Sequence, residues 1–329
     1  MQLLASTNST SADAAILKAL EAVRLRFSKK LLSAYVTGSY ANGYAVSTSD
    51  VDLFLVFEGT ITPEDEKIRD EIYAQLEHIT PPLDIAIRGL PKLLEAGDEG
   101  MREHFLHVFG EPVHLQVPLP LIQDYAYRGM HSGYLRMQHT RKSKPYIWPL
   151  KYPEEQSPLK GYDWREKIIV NGKSFDSIKE IVVLTGWMAT GLIAWKGQTF
   201  VPTKNHVVKL FKEVIGGPMA DDLELITNLC RTKLAYLVPE SEEGLKELQD
   251  LLPKVLAFEN FFLENYQDFL IENLKNENPV RVRTSITRLG EIIYSNDRSL
   301  KALQEVSQNE PACAEELKQS IAQLSFLKS

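Results

Sequence analysis

A chain of 329 residues is long enough for two domains, and 44% hydrophobic with 25% charged residues is ordinary globular composition. A net charge of −7 argues against long nucleic acid as the main partner, and no apolar run approaches the roughly 18 residues that span a bilayer. Cys230 and Cys313 are too few and too distant for a metal motif or a disulfide framework, and the N-terminus lacks a signal-peptide pattern, so a cytoplasmic, reducing setting is expected.

Apolar residues over 12–30 recur at helical spacing, with Ser11 as a candidate N-cap. LSAYVTG at 32–38 reads as a short strand closed by a glycine turn, and VDLFLVF at 51–57 as a central strand apolar on both faces. Thr62-Pro63-Glu64-Asp65 supplies a cap, a first-turn proline and early acids, which predicts a helix over 63–79. Pro81-Pro82 stops it, and LDIAI at 83–87 reads as another strand. Residues 1–120 are therefore expected to form an α/β domain, a mixed sheet with flanking helices.

Residues 121–173 look like an aromatic and basic connector. Between Asp124 and Val170 nine Lys/Arg face five acids, a local charge of +4 that leaves −11 for the rest of the chain. Residues 174–329 read as an all-α domain with breaks near Gly216-Gly217, Pro239, Pro253 and Pro279.

The chemistry concentrates in TGSYANGYAVSTSDVDLF at 37–54. Asp50 and Asp52 lie two apart at a strand, so both carboxylates point the same way. Such a pair is destabilising unless protonated or bridged by a cation, and Mg²⁺ is the natural bridge because it takes oxygen ligands and includes substrate phosphates. Asp84, embedded in LDIAI, would add a third acid if the two strands are neighbours. Three acids on one patch form a divalent-metal site for phosphoryl or nucleotidyl transfer, with Asp84 either a ligand or the base for the acceptor hydroxyl. Gly38-Ser39 completes it: the glycine lets backbone N–H groups approach a phosphate, and the hydroxyl adds a donor. Arg88, four residues after Asp84 on the same strand face, either reaches the nucleotide or neutralises the acid.

Gly38-Ser39, Asp50-Val51-Asp52 and Asp84 together resemble the nucleotidyltransferase superfamily typified by DNA polymerase β. The GSYANGY turn and SDVDL are similar to its bacterial small-molecule branch. VVLTGWMATGLIAWKGQTFVPTK at 182–204 further resembles the helical domain of streptomycin/spectinomycin-type adenylyltransferases, where a lysine reaches the nucleotide phosphates; the matching residue is Lys204. Met188 departs from that pattern, which tends to carry arginine there.

The resemblance implies one or two Mg²⁺ ions, ATP as substrate and a small hydroxylated acceptor such as an aminoglycoside. A protein or RNA acceptor meeting the +4 segment is the alternative, and a non-catalytic nucleotide-binding protein a third. Arg102 and His107 share the Arg-x4-His spacing of certain ribonucleases, a coincidence of two residues. His206 is expected to flank a helix.

Overall fold

The computed structural model describes residues 1–27, 30–141, 144–163, 167–170, 173–307 and 313–326. Helix α1 (Thr10–Phe27) buries Ala12, Ala15, Ile16, Ala19, Leu20 and Val23, the helical spacing that the sequence displays. There follow β1 (Leu31–Thr37), a single turn α2 (Gly38–Ala41), β2 (Val51–Phe57), α3 (Pro63–Gln75) and β3 (Leu83–Gly89). Short helices α4 (Leu90–Ala96) and α5 (Glu99–Glu103) lead to β4 (Leu106–Gly110). Helix α3 is four residues shorter than its expected span and opens on a full capping box between Thr62 and Asp65.

The four strands form one mixed sheet in the order β3-β2-β1-β4. Strand β1 runs antiparallel to both neighbours, whereas β2 and β3 are parallel, with α3 as their crossover. Helix α1 and Ile72 of α3 cover one face over Val36, Leu53 and Leu55. Tyr35, Phe54 and Val56 on the other face pack against Leu93, Met101, Val113 and Val117.

Strand β4 explains His107. Its Nε2 lies 3.1 Å from Ser33 Oγ, and its ring stacks on Tyr35 at 4.9 Å. Arg102 donates instead to the carbonyls of Leu115 and Val117. His107 braces the sheet edge, and Arg102 ties α5 to the segment after β4.

The remainder is mostly helical. Its elements are α6 (Ile122–Thr140), β5 (Tyr146–Ile147), β6 (Lys167–Val170), β7 (Lys173–Asp176), α7 (Lys179–Gly197), α8 (His206–Val214) and α9 (Gly217–Thr227). A π-helical turn at Asn228–Lys233 precedes α10 (Glu242–Asn273), α11 (Pro279–Glu291), β8 (Ile292–Ile293), α12 (Arg298–Ser307) and α13 (Ala314–Phe326). It is not all-α: β5 pairs parallel with β8, and β6 pairs antiparallel with β7.

Two further expectations change. The start of the 121–173 segment is a 19-residue helix, and its Met130, Tyr134, Met137, Tyr146 and Tyr162 join the same core as α7 and α10. Aromatics that suggested a connector are core. Pro253 lies inside the 32-residue α10 rather than ending it. Burial of Leu251, Leu252, Val255 and Phe258 around it outweighs the hydrogen bond a proline forfeits.

Glycines set the seam between α6 and α7. A Cβ on Gly191 would come within 2.8 Å of the Gly129 carbonyl, and one on Gly133 within 3.1 Å of Met188 Cα. The helices therefore touch backbone to backbone, which fixes where α7 begins.

Candidate active site

Antiparallel pairing sets Asp52 of β2 opposite Thr37 of β1, so the next residue, Gly38, turns directly over the Asp52 carboxylate. Gly38 has φ +70°, and a Cβ there would sit 2.0 Å from Asp52 Oδ2. Only glycine meets both demands. Asn42 closes the turn by donating to the Gly38 carbonyl at 2.9 Å, and Ser39 accepts from the Tyr44 N–H.

Parallel pairing sets Asp84 of β3 beside Asp52 in register. Its charge reaches Asp52, but its side chain is exposed and does not line the cleft. Arg88 does not join the site. Four residues at about 3.3 Å each carry it roughly 13 Å up the strand, where it donates to the Ile87 carbonyl and lies over the Phe54 ring.

Between the sheet and the helical half lies a cleft of about 420 Å³, within the usual size of ligand pockets. Ser39, Ser49, Asp50 and Asp52 line it from the sheet, and Lys179, Lys204, Arg231 and Tyr236 from the helical half. Among the described residues, three hydrogen-bonded contacts join the two walls. Lys179 Nζ meets Asp50 Oδ2 at 2.8 Å, Thr48 Oγ1 donates to the Ala235 carbonyl at 2.6 Å, and Arg231 donates to the Tyr44 carbonyl at 3.1 Å.

The wall from 228 to 236 is locally strained: a π-helical turn runs into Ala235 and Tyr236, both at positive φ. The Tyr236 carbonyl accepts the Ile178 N–H, which braces this turn against the start of α7.

Charges in the cleft are unequal partners. Burial opposes ionisation of Asp50, but the bonded Lys179 ammonium outweighs it and holds the carboxyl below its ordinary pKa. At Asp52 burial wins and pushes the pKa up to about 6; Lys204 opposes the shift, while Asp50 and Asp84 add to it. Two carboxylates on one strand end, one of them short of positive charge, suit a cation that completes its shell with substrate oxygens. Among the described residues no set of three His, Cys, Asp or Glu is gathered for a metal ion, so any metal here would lean on Asp50, Asp52 and the phosphates.

A second acidic region lines the same cleft at Asp98 and Glu99, facing Tyr125 and Arg128 of α6. Burial, with the charges of Asp98 and Glu103, pushes Glu99 up to about 7. Burial also lowers His104, despite Glu103. Glu99 and His104 meet at 2.7 Å, where burial disfavours the charged form of each.

Met188 is fully buried against α6, so it faces the core. Arg128 and Arg231 are the arginines that do line the cleft. Sequence reasoning missed both, along with Lys179, Tyr236, Glu99 and Trp187, which is 46% exposed. Nothing in the sequence marks Ala235-Tyr236, whose positive φ belongs to the fold.

Residues 16–96 match the family model described as a nucleotidyltransferase domain. No curated protein matches the chain. Among solved structures, the chain is similar to the spectinomycin adenyltransferase AAD(9) from Enterococcus faecialis with ATP and spectinomycin. That likeness has a TM-score of 0.45 and 10% identity, over 74% of this chain and 98% of that one.

Proposed function

We propose that this chain, a nucleotidyltransferase, moves a nucleoside monophosphate, AMP from ATP, to a hydroxyl of a small molecule and releases pyrophosphate. One observation carries this reading: Asp50 and Asp52 lie under the Gly38-Ser39 turn and face Lys179 and Lys204 across a single cleft. Carboxylates beneath a phosphate-sized turn, opposed by cations from a second layer, bracket the place where a triphosphate would react.

Asp50 and Asp52 would hold Mg²⁺, whose chemistry is to neutralise charge on the reacting phosphate and align the attacking and leaving oxygens. Gly38 keeps the backbone close, and Ser39 offers its hydroxyl to the phosphate tail. Lys204 balances the charge of the leaving pyrophosphate. Asp84, in register with Asp52 but exposed outside the cleft lining, would act as the acceptor's base only for a hydroxyl that reaches out to the rim. Trp187 and Tyr236 offer ring faces to the base or the acceptor.

The cleft, with Asp98 and Glu99 on its wall, supports a small, hydroxylated and amine-bearing acceptor over a macromolecule. The resemblance of residues 182–204 to streptomycin/spectinomycin-type adenylyltransferases points the same way. An ATP-rich cytoplasmic setting belongs to this reading.

The test is direct. The protein is incubated with Mg²⁺ and α-labelled ATP against an aminoglycoside panel, and then against a cell lysate. Label on a small molecule, lost in Asp50→Asn and in Asp52→Asn, is the expected result. Label on protein or RNA would replace the acceptor assignment, and full turnover in both variants would refute the roles of the two acids.

A further inference from the structure

We infer that Arg231 is a ligand for the terminal phosphates of the nucleoside triphosphate, the part that leaves as pyrophosphate. This rests on the nucleotidyl transfer proposed above and gives it a residue that grips the phosphate tail.

Arg231 is a charge withdrawn from water without an opposite charge bonded to it. It is 9% exposed, and among the described residues no carboxylate bonds to it. A guanidinium has five N–H donors, and among the described residues this one makes a single side-chain hydrogen bond, to the Tyr44 carbonyl at 3.1 Å. Arg141, whose side chain is also 9% exposed, shows what the fold does when such a group is structural. It grips both oxygens of Glu259 and the Lys151 carbonyl. A buried guanidinium is destabilising unless it is paired, and one neutral carbonyl pairs it poorly. Joining the walls does not need the charge either, since Thr48 does so with a neutral hydroxyl on the Ala235 carbonyl.

The backbone that presents Arg231 is itself irregular. The residue lies in the π-helical turn Asn228–Lys233, where the Leu234 N–H reaches back five residues to the Leu229 carbonyl. Ala235 and Tyr236, just after it, hold positive φ. Cys230 stays in the helical core while Arg231 lines the cleft. Turns of this kind interrupt helices most often at functional sites, where they place a side chain that regular helix would not.

Its position selects one end of the nucleotide. The Tyr44 N–H bonds to the Ser39 carbonyl at 2.9 Å, so the carbonyl that holds Arg231 belongs to the residue closing the Gly38-Ser39 turn. Gly38, at the start of that turn, sits on Asp52, the acid assigned to the reacting phosphate. Arg231 stands by the turn's other end, where the tail beyond the reacting phosphate lies. Its remaining N–H groups form a planar fork that matches two phosphate oxygens. Lys204, in the same wall, supplies a point charge; Arg231 adds direction.

Isothermal titration of the whole protein with Mg-pyrophosphate, Mg-ATP and AMP, without acceptor, tests this. Arg231→Met should weaken pyrophosphate and ATP about thirtyfold, the size of a charge-assisted contact, and leave AMP within about twofold. Arg231→Lys, which keeps the charge and loses the fork, should weaken them about fivefold. Thr48→Val, which removes a neutral contact between the walls, should bind pyrophosphate as the wild type does. Arg231→Gln, which still has a donor for the Tyr44 carbonyl, should match Arg231→Met and stands in should that variant fail to fold. Unchanged pyrophosphate affinity in the neutral variants overturns the assignment. So does an equal loss for all three ligands, or an equal loss in Thr48→Val, either of which makes Arg231 a brace between the walls. Failure of the wild type to bind ATP or pyrophosphate overturns the nucleotide reading with it.

Discussion

Glu259 in the helical half and Asp52 on the floor of the cleft are both carboxylates withdrawn from water, and they could hardly be treated more differently. Glu259 is 0% exposed, and both its oxygens are taken: Arg141 donates at 3.1 and 2.8 Å, and the Tyr162 hydroxyl donates as well. The three residues come from three separate segments, which the bonds tie together. Asp52 has cations across the cleft and like charges beside it, and burial leaves its pKa raised to about 6. A structural acid is satisfied when the chain folds; a functional acid is left wanting a partner that the chain does not contain.

The sharpest way to break the comparison is to neutralise each acid in turn. Asp52→Asn should lower transfer by about ten-thousandfold or more, roughly 5 kcal/mol of transition-state stabilisation. Its melting temperature should hold or rise, because the variant removes a poorly compensated charge. Glu259→Leu should do the reverse. It strands the Arg141 guanidinium, itself 9% exposed, and should cost about 3–5 kcal/mol in urea unfolding. Parallel loss of stability in both variants would erase the distinction. Gly38→Ala belongs with Asp52: its side chain would strike Oδ2, so activity should vanish with little loss of fold.

The same contrast explains what could be read from residue order. Gly38, Asp50 and Asp52 lie within one turn and one strand, so their convergence follows from strand periodicity, and Asp84 follows from pairing β3 beside β2. The opposite wall comes from α7, the 228–236 turn and α5, more than a hundred residues away in part, and no period in the sequence links them. Lys179 is a lone lysine until Asp50 is placed beside it. Helix α6 was obscured because its contact face is Gly129 and Gly133, residues that signal turns in sequence and close packing in space. Arg88 shows the converse error: a shared strand face says nothing of distance along the strand.

Glu99 refines the comparison, since it meets His104 at 2.7 Å and burial disfavours the charged form of each. Its pKa is pushed up to about 7 from an ordinary 4.5 by burial, with the charges of Asp98 and Glu103 adding to the shift. The folded state therefore holds a proton that the unfolded chain has released between these values. Stability from this group is full below about pH 4.5 and is lost as pH rises through about 7. Glu99→Gln should flatten that slope in melting temperatures taken from pH 5 to 8. Above pH 7 it should be more stable than the wild type by about 1–2 kcal/mol. An unchanged slope would mean that the carboxyl is ionised throughout and paired with His104 as a cation.

The smallest effect should come from Asp65, an acid satisfied as fully as Glu259 and itself buried, but held by exposed partners. It accepts from the Thr62 N–H at 2.9 Å, the Thr62 hydroxyl at 2.7 Å and Lys30 Nζ at 2.8 Å. Burial opposes its ionisation, yet these donors outweigh it and hold the pKa below the ordinary 3.8. Its stability is thus present above that value and lost as pH falls further, the opposite sign to Glu99. Because its partners cap a surface helix rather than join buried segments, Asp65→Asn should cost only about 1 kcal/mol, the usual worth of a cap. An acid-unfolding midpoint that shifts up in Asp65→Asn, with transfer activity intact, would place it with Glu259. A cost as large as that of Glu259 would instead show that the number of donors, and not the depth at which they are buried, sets what a satisfied acid contributes.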